Sequence, residues 1–129
     1  WDQYLAEFYR LKDIYQKQIT ILFGVEIGAQ PHVIEQINQV VRKYPFDFVI
    51  CSTHTVDRVS CSQSKFFAST EPKAAYLKYL EGLLANIKSL QDYDVCGHLD
   101  FVARYNPSGA KQLPYGDYAC LLGASDLCD

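Results

Sequence analysis

Three side chains able to hold a metal ion recur in similar settings along this sequence. Glu26 lies in Phe23-Gly-Val-Glu-Ile-Gly28, His54 closes Cys51-Ser-Thr-His54, and His98 stands in Cys96-Gly-His-Leu-Asp100. Each follows a short apolar run that reads as a strand. In parallel α/β folds the loops beyond the carboxyl ends of strands converge on one face. A carboxylate with two imidazoles suits zinc, manganese or iron, and a carboxylate can bridge two ions. Taken singly, Glu26 could pair with a neighbouring Lys or Arg, and His98 could bond to backbone at a strand end. The coincidence of the three positions favours a metal site. His32 follows Pro31 at a helix start, where an exposed or capping role is expected. Cys51-x-x-His54 with Cys96-x-His98 offers a rival Cys2His2 site. Residues three apart on a strand point to opposite faces, however, which argues against sharing one ion. Cys51 and Cys96 are read instead as small core hydrophobes. Arg104, six residues past His98, could grip a phosphate through two parallel hydrogen bonds or simply pair with an acid at the surface.

The elements that must position these groups alternate. Leu5, Phe8, Tyr9, Lys12 and Tyr15 mark one face of a helix over residues 2–18, with Asp2 as its N-cap. The run Ile19–Val25 reads as a strand buried on both faces. Pro31 opens a second helix with Val33, Ile34, Ile37, Val40 and Val41 at helical spacing, and Asp47–Ser52 is a second strand. Residues 53–69 carry no period and are expected to be loop. A long helix then starts at Thr70-Glu71-Pro72, with Tyr76, Leu77, Leu80, Leu83, Leu84, Ile87 and Leu90 on one face, and Tyr93–Cys96 is a third strand. The order α-β-α-β-α-β implies parallel strands joined by helical crossovers. A complete barrel needs about eight strand–helix units in ~250 residues, so this pattern fills less than half of one; an open three-stranded sheet is the competing architecture.

Composition narrows the function. With 129 residues, 49% hydrophobic and 21% charged, the chain can bury enough apolar surface to offset its entropy, so it is not disordered. No apolar run approaches the ~20 residues of a membrane span. Twelve Lys+Arg against fifteen Asp+Glu give a net charge of -3, which argues against nonspecific nucleic-acid binding. The chain has no Met and begins at Trp1, so it is expected to be an internal or processed piece of a longer product. Its five irregularly spaced cysteines suggest free thiols in a reducing, cytoplasmic setting.

Tyr44-Pro-Phe-Asp-Phe-Val-Ile50 with Ser52-Thr-His54, and Tyr93-Asp-Val-Cys-Gly-His-Leu-Asp-Phe-Val-Ala-Arg-Tyr105, resemble the histidinol-phosphatase branch of the PHP (polymerase and histidinol phosphatase) superfamily. Phe23-Gly-Val-Glu-Ile-Gly28 is similar to that family's strand ending in a metal-bridging glutamate, and Tyr76-Leu-Lys-Tyr-Leu-Glu81 to a helix between its two central histidine motifs. The resemblance runs from about Asp2 to Tyr118. It implies a partial, distorted (β/α)7 barrel, here about three parallel strands with flanking helices. It also implies two or three divalent ions (Zn, Mn or Fe) and hydrolysis of a small phosphomonoester, with L-histidinol phosphate the expected substrate. Glu26, His54 and His98 match metal ligands of the family, and Arg104 matches an arginine near the phosphate. The family's opening His-x-His motif has no counterpart here. Its closing Asp-x-His is matched only loosely by Gly123-Ala-Ser-Asp-Leu-Cys128, so residues 1–118 are assigned to the barrel and 119–129 to a divergent tail. The alternatives are a PHP phosphoesterase with another substrate, or a noncatalytic α/β module with a structural or vestigial metal site. Neither a nucleic acid nor a membrane is an expected partner, and the oligomeric state stays open.

Overall fold

A computed structural model describes residues 1–68 and 71–109 of the chain. The expected tail and its Gly123–Cys128 motif, with Cys120 and Cys128, lie outside the described residues, as does Thr70.

Helix α1 (Asp2–Tyr15) is held by aromatic contacts more than by a continuous apolar face. Phe8 is its buried residue, 5.0 Å from the Phe23 ring centroid, and Tyr4 approaches Phe23 at 4.7 Å while its hydroxyl donates to the Gly24 carbonyl. Tyr9 and Tyr15, placed on the core face by spacing, are exposed instead. Trp1, not Asp2, occupies the N-cap position. Asp2 lies in the first turn and accepts a hydrogen bond from the Tyr44 hydroxyl.

Strand β1 covers Gly24–Gly28, so it begins later than the apolar run Ile19–Val25 suggests. Ile19 and Leu22 are exposed. The ladder determines this limit. The Phe23 amide donates to the Asp47 carboxylate and the Asp47 amide to the Phe23 carbonyl, which closes the pairing just before Gly24. Glu26 therefore sits in the middle of β1 rather than after it. A 3-10 turn at Pro31–Val33 leads into α2 (Ile34–Lys43), and β2 follows at Phe48–Ser52.

Residues 53–68 are not the plain loop expected. They form a hairpin of β3 (Thr55–Val56) and β4 (Val59–Ser60), turned by Asp57 and Arg58 at positive φ, followed by a 3-10 turn at Ser64–Phe66. Val56, Cys61, Phe66 and Phe67 from this segment are buried against Tyr76, Tyr79, Leu80 and Leu83 of α3 (Pro72–Ser89). Their spacing fits neither a helix nor a long strand, which hides the segment from a search for periodicity. Lys78 on α3 also pairs with Asp57 at the hairpin tip. Strand β5 is short (Val95–Cys96), and a 3-10 turn spans Phe101–Tyr105.

The main sheet has the order β1-β2-β5, all parallel, with Glu26 opposite Ile50 and Cys51 opposite Cys96. The helices cross between successive strands, so this is three units of a partial barrel. Alternation along the strands separates two faces. Ile27, Ala29, Val49 and Cys51 are buried on the helix side. Phe48 and Val95, on the face shared with Glu26, are exposed. Asn86 of α3 fastens helix to sheet by donating to both the Ala29 carbonyl and the Thr53 hydroxyl.

Candidate metal centre

Each of the three predicted ligands reaches the same point from a different strand. Glu26 projects from β1. His54 lies two residues past β2, where its carbonyl accepts the Cys61 amide and so ties the backbone to the hairpin. His98 lies two residues past β5, and its carbonyl accepts from the Tyr79 hydroxyl and the Phe101 amide. His54 Nε2 and His98 Nε2 are 3.0 Å apart, His98 Nε2 is 3.1 Å from Glu26 Oε1, and His54 Nε2 is 3.3 Å from the same oxygen.

The donor set fits a divalent cation. Ligands at 2.0–2.2 Å in a tetrahedral shell stand about 3.3–3.6 Å from one another, slightly wider than the triangle of 3.0–3.3 Å seen here. With both imidazoles neutral, hydrogen bonds satisfy the triangle only when one Nε2 carries the proton and the other presents its lone pair. If both Nε2 atoms donated to Glu26, two donors would face each other at 3.0 Å. His98 Nδ1 is buried without a partner among the described residues, and Nε2 is the atom that faces Glu26 and His54.

The electrostatics favour the protonation states that a cation requires. Burial, then the neighbouring His98, lowers the pKa of His54 and keeps its ring neutral. The Glu26 carboxyl is lowered chiefly by the Ser52 hydroxyl, against a smaller opposing effect of desolvation, with His98 and His54 adding to the lowering.

The other candidates fall elsewhere. Among the described residues no cysteine joins the donor cluster. Cys51 and Cys61 are buried free thiols whose pKa values desolvation pushes up to about 11 and about 12. The Cys2His2 arrangement is therefore not built. His32 is exposed and makes no capping bond, and it lines a small cleft with Thr55, Asp57 and Arg58 that none of Glu26, His54 and His98 lines. Arg104 is exposed on the 3-10 turn, and its guanidinium lies 5.9 Å from the centroid of the Phe101 ring. It forms no ion pair among the described residues.

Phe101 carries no signal in the sequence, yet its ring stands 4.7 Å from His54 and 4.9 Å from His98, walling both imidazoles. Ser52 and Asn86 were equally hidden. A serine ending an apolar strand and an asparagine within a helix look ordinary until their neighbours are known.

The fold and this cluster agree with what the sequence matches as a whole. The PHP domain family model covers residues 2–120, and the chain belongs to that family. It is similar to the histidinol-phosphatase of Lactococcus lactis subsp. lactis, with 31% identity over 116 residues that make up 89% of this chain and 43% of the relative. A protein of Clostridium acetobutylicum named probable histidinol-phosphatase is 25% identical over 118 residues, 92% of this chain and 44% of the relative. Among solved structures, histidinol phosphate phosphatase from Lactococcus lactis, in complex with zinc, L-histidinol and phosphate, superposes with a TM-score of 0.88. That match has 30% identity and covers 94% of this chain and 46% of that one. The chain thus spans less than half the length of the relatives it matches.

Proposed function

We propose that this chain forms part of a metal-dependent phosphomonoester hydrolase that converts L-histidinol phosphate and water to L-histidinol and phosphate. The observation that carries the reading is the triangle of Glu26 Oε1, His54 Nε2 and His98 Nε2 at 3.0–3.3 Å, in a chain whose structural relative holds zinc, L-histidinol and phosphate. Glu26, His54 and His98 are assigned as metal ligands. Residues 1–118 belong to the barrel in this reading and 119–129 to a tail. Zinc suits the donor set, and manganese or iron are the competing ions; two or three ions form the complete centre. The expected compartment is the cytoplasm.

The ions, when bound, lower the pKa of a water and neutralise phosphate oxygens. The chain's residues prepare the site for this. His54 stays neutral and so presents a lone pair, and Glu26 stays ionised and supplies the negative charge. Phe101 restricts both imidazole rings to orientations that face Glu26. Arg104 is assigned to the phosphate, where its planar fork can donate to two oxygens at once.

The test is a panel of phosphomonoesters offered to the full-length protein with added Zn²⁺ or Mn²⁺. L-histidinol phosphate should be the preferred substrate, and His98→Ala should lose bound metal and hydrolysis together. A full-length protein that binds neither ion and hydrolyses no member of the panel would overturn the assignment. Preference for a different phosphomonoester would retain the metal chemistry and reject the substrate.

A further inference from the structure

The three residues of the cluster are not supported alike. Glu26 lies inside a five-residue strand, and the hairpin holds the chain at His54 through the Cys61 amide. His98 follows β5, a strand of two residues whose ladder to β2 ends with the Gly97 amide on the Cys51 carbonyl. Strands in globular proteins usually run to three residues or more, so β5 gives its neighbours little rigidity. A firm backbone at His98 therefore needs a hold from another element.

Tyr79 of α3 provides one. Its side chain is fully buried in a cluster with Val56, Cys61, Leu80 and Leu83, and Cys96, Leu99 and Phe101 on either side of His98 pack against the same cluster. Its hydroxyl donates to the His98 carbonyl at 3.2 Å. The same oxygen accepts the Phe101 amide at 3.2 Å, which closes the turn after His98. Two donors occupy both lone pairs of that carbonyl. One acceptor thus joins α3, His98 and Phe101, the residue whose ring walls both imidazoles. A buried tyrosine hydroxyl generally finds a partner. Here the partner is the main chain of the residue whose Nε2 faces Glu26 and His54. A tyrosine side chain turns about two torsions alone, so a packed ring carries the position of its helix to the hydroxyl.

We propose that Tyr79 is a positioning residue of the metal centre: its hydroxyl, set by the interior of α3, fixes the His98 main chain and with it the place of the imidazole beside Glu26 and His54. The proposal rests on the reading of these three residues as metal ligands. Groups that orient a metal ligand typically contribute 10–100-fold to metal affinity. The Phe101 amide stays on the carbonyl when the hydroxyl is removed, which places Tyr79 at the lower end of that range.

The experiment uses the full-length protein and compares two variants of the same helix. Tyr79→Phe removes the hydroxyl and keeps the packed ring. Tyr76→Phe removes another hydroxyl of the same buried cluster, one that accepts from the Asn106 amide. Zinc affinity is measured by competition with a chromophoric chelator, and the visible spectrum is recorded with Co²⁺ in place of zinc. Tyr79→Phe should bind zinc about tenfold more weakly than wild type and shift the cobalt bands, because the imidazole meets the ion in a looser geometry. Tyr76→Phe should leave affinity and spectrum as in wild type. Wild-type affinity and spectrum in Tyr79→Phe overturn the proposal. An equal loss in Tyr76→Phe also overturns it, since the effect then comes from a softened core. A Tyr79→Phe protein that fails to fold overturns it as well and marks the hydroxyl as structural. A wild-type protein that binds no zinc rejects the metal-centre reading itself, before either variant is measured.

Discussion

Arg104 lies six residues beyond His98 in sequence, and in space it is linked to the Glu26–His54–His98 cluster through one ring. Phe101 touches both histidines on the cluster side and carries the Arg104 guanidinium. If that guanidinium reaches the substrate phosphate, Arg104→Ala in the full-length enzyme should lower kcat/KM by roughly 10–100-fold. This corresponds to the loss of charge-assisted hydrogen bonds worth about 1.5–3 kcal/mol. Metal content should not change, because Arg is no ligand; kinetics equal to wild type would leave Arg104 a surface residue. The thiols give a second prediction at this scale. Burial holds the Cys51 and Cys61 thiols neutral far above neutral pH. Since the thiolate is the reactive form, both should resist alkylation at pH 8 in the folded protein and react once it is denatured. Peptide mapping by mass spectrometry reads each site separately. The same raised values imply stability that is complete below about pH 9, the ordinary thiol value, and declines as pH rises toward 11 and 12, where the unfolded chain ionises first.

At the scale of elements, α3 organises both sides of the molecule. Its apolar residues cover the hairpin, and Asn86 binds the chain just past β1 and just past β2. Asn86→Ala would leave the Ala29 carbonyl without this donor in the core. We expect a loss of about 2 kcal/mol in unfolding free energy, measured by urea denaturation. His54 follows Thr53 directly, so the same variant should also bind zinc more weakly than wild type. A variant of unchanged stability would show that water or another donor replaces the amide. The hairpin is the second element that matters. It fixes the His54 backbone through the Cys61 amide, and Gly82 of α3 lets it approach: a Cβ there would come within 2.9 Å of a Val56 methyl.

For the whole molecule, burial is one-sided. The helix face of the sheet is closed, whereas Phe48 and Val95 on the face bearing Glu26 are exposed, as are Tyr9, Ile14, Ile19 and Leu22 around α1. Strands β1 and β5 are both edges among the described residues. Unpaired edges and contiguous apolar surface favour association. The 129-residue chain prepared alone should therefore bind a hydrophobic dye, sediment as concentration-dependent oligomers and melt over a broad range. A monomer with a sharp cooperative transition would show that three strand–helix units suffice for an independent domain. No helix among the described residues is long and apolar enough to cross a membrane.

Much of this architecture was legible in residue order. The alternation of apolar runs and helical spacing specified three parallel strands, because each pattern permits only one way of burying its face. Expected position after successive strands singled out Glu26, His54 and His98, although Glu26 lies within β1 and only the histidines follow their strands. What the residues alone left undetermined depended on partners distant in sequence. The start of β1 at Gly24 was decided by Asp47, whose hydrogen bonds to Phe23 close the ladder across more than twenty residues. The hairpin at residues 55–60 owes its existence to α3, since two-residue strands have no stability or period of their own. Asn86 and Phe101 acquired roles only when folding set them beside Ala29 and the two histidines. A sequence records periodicity and chemical type, which are local. Which donor meets which acceptor is fixed by packing, and that is a property of the tertiary structure.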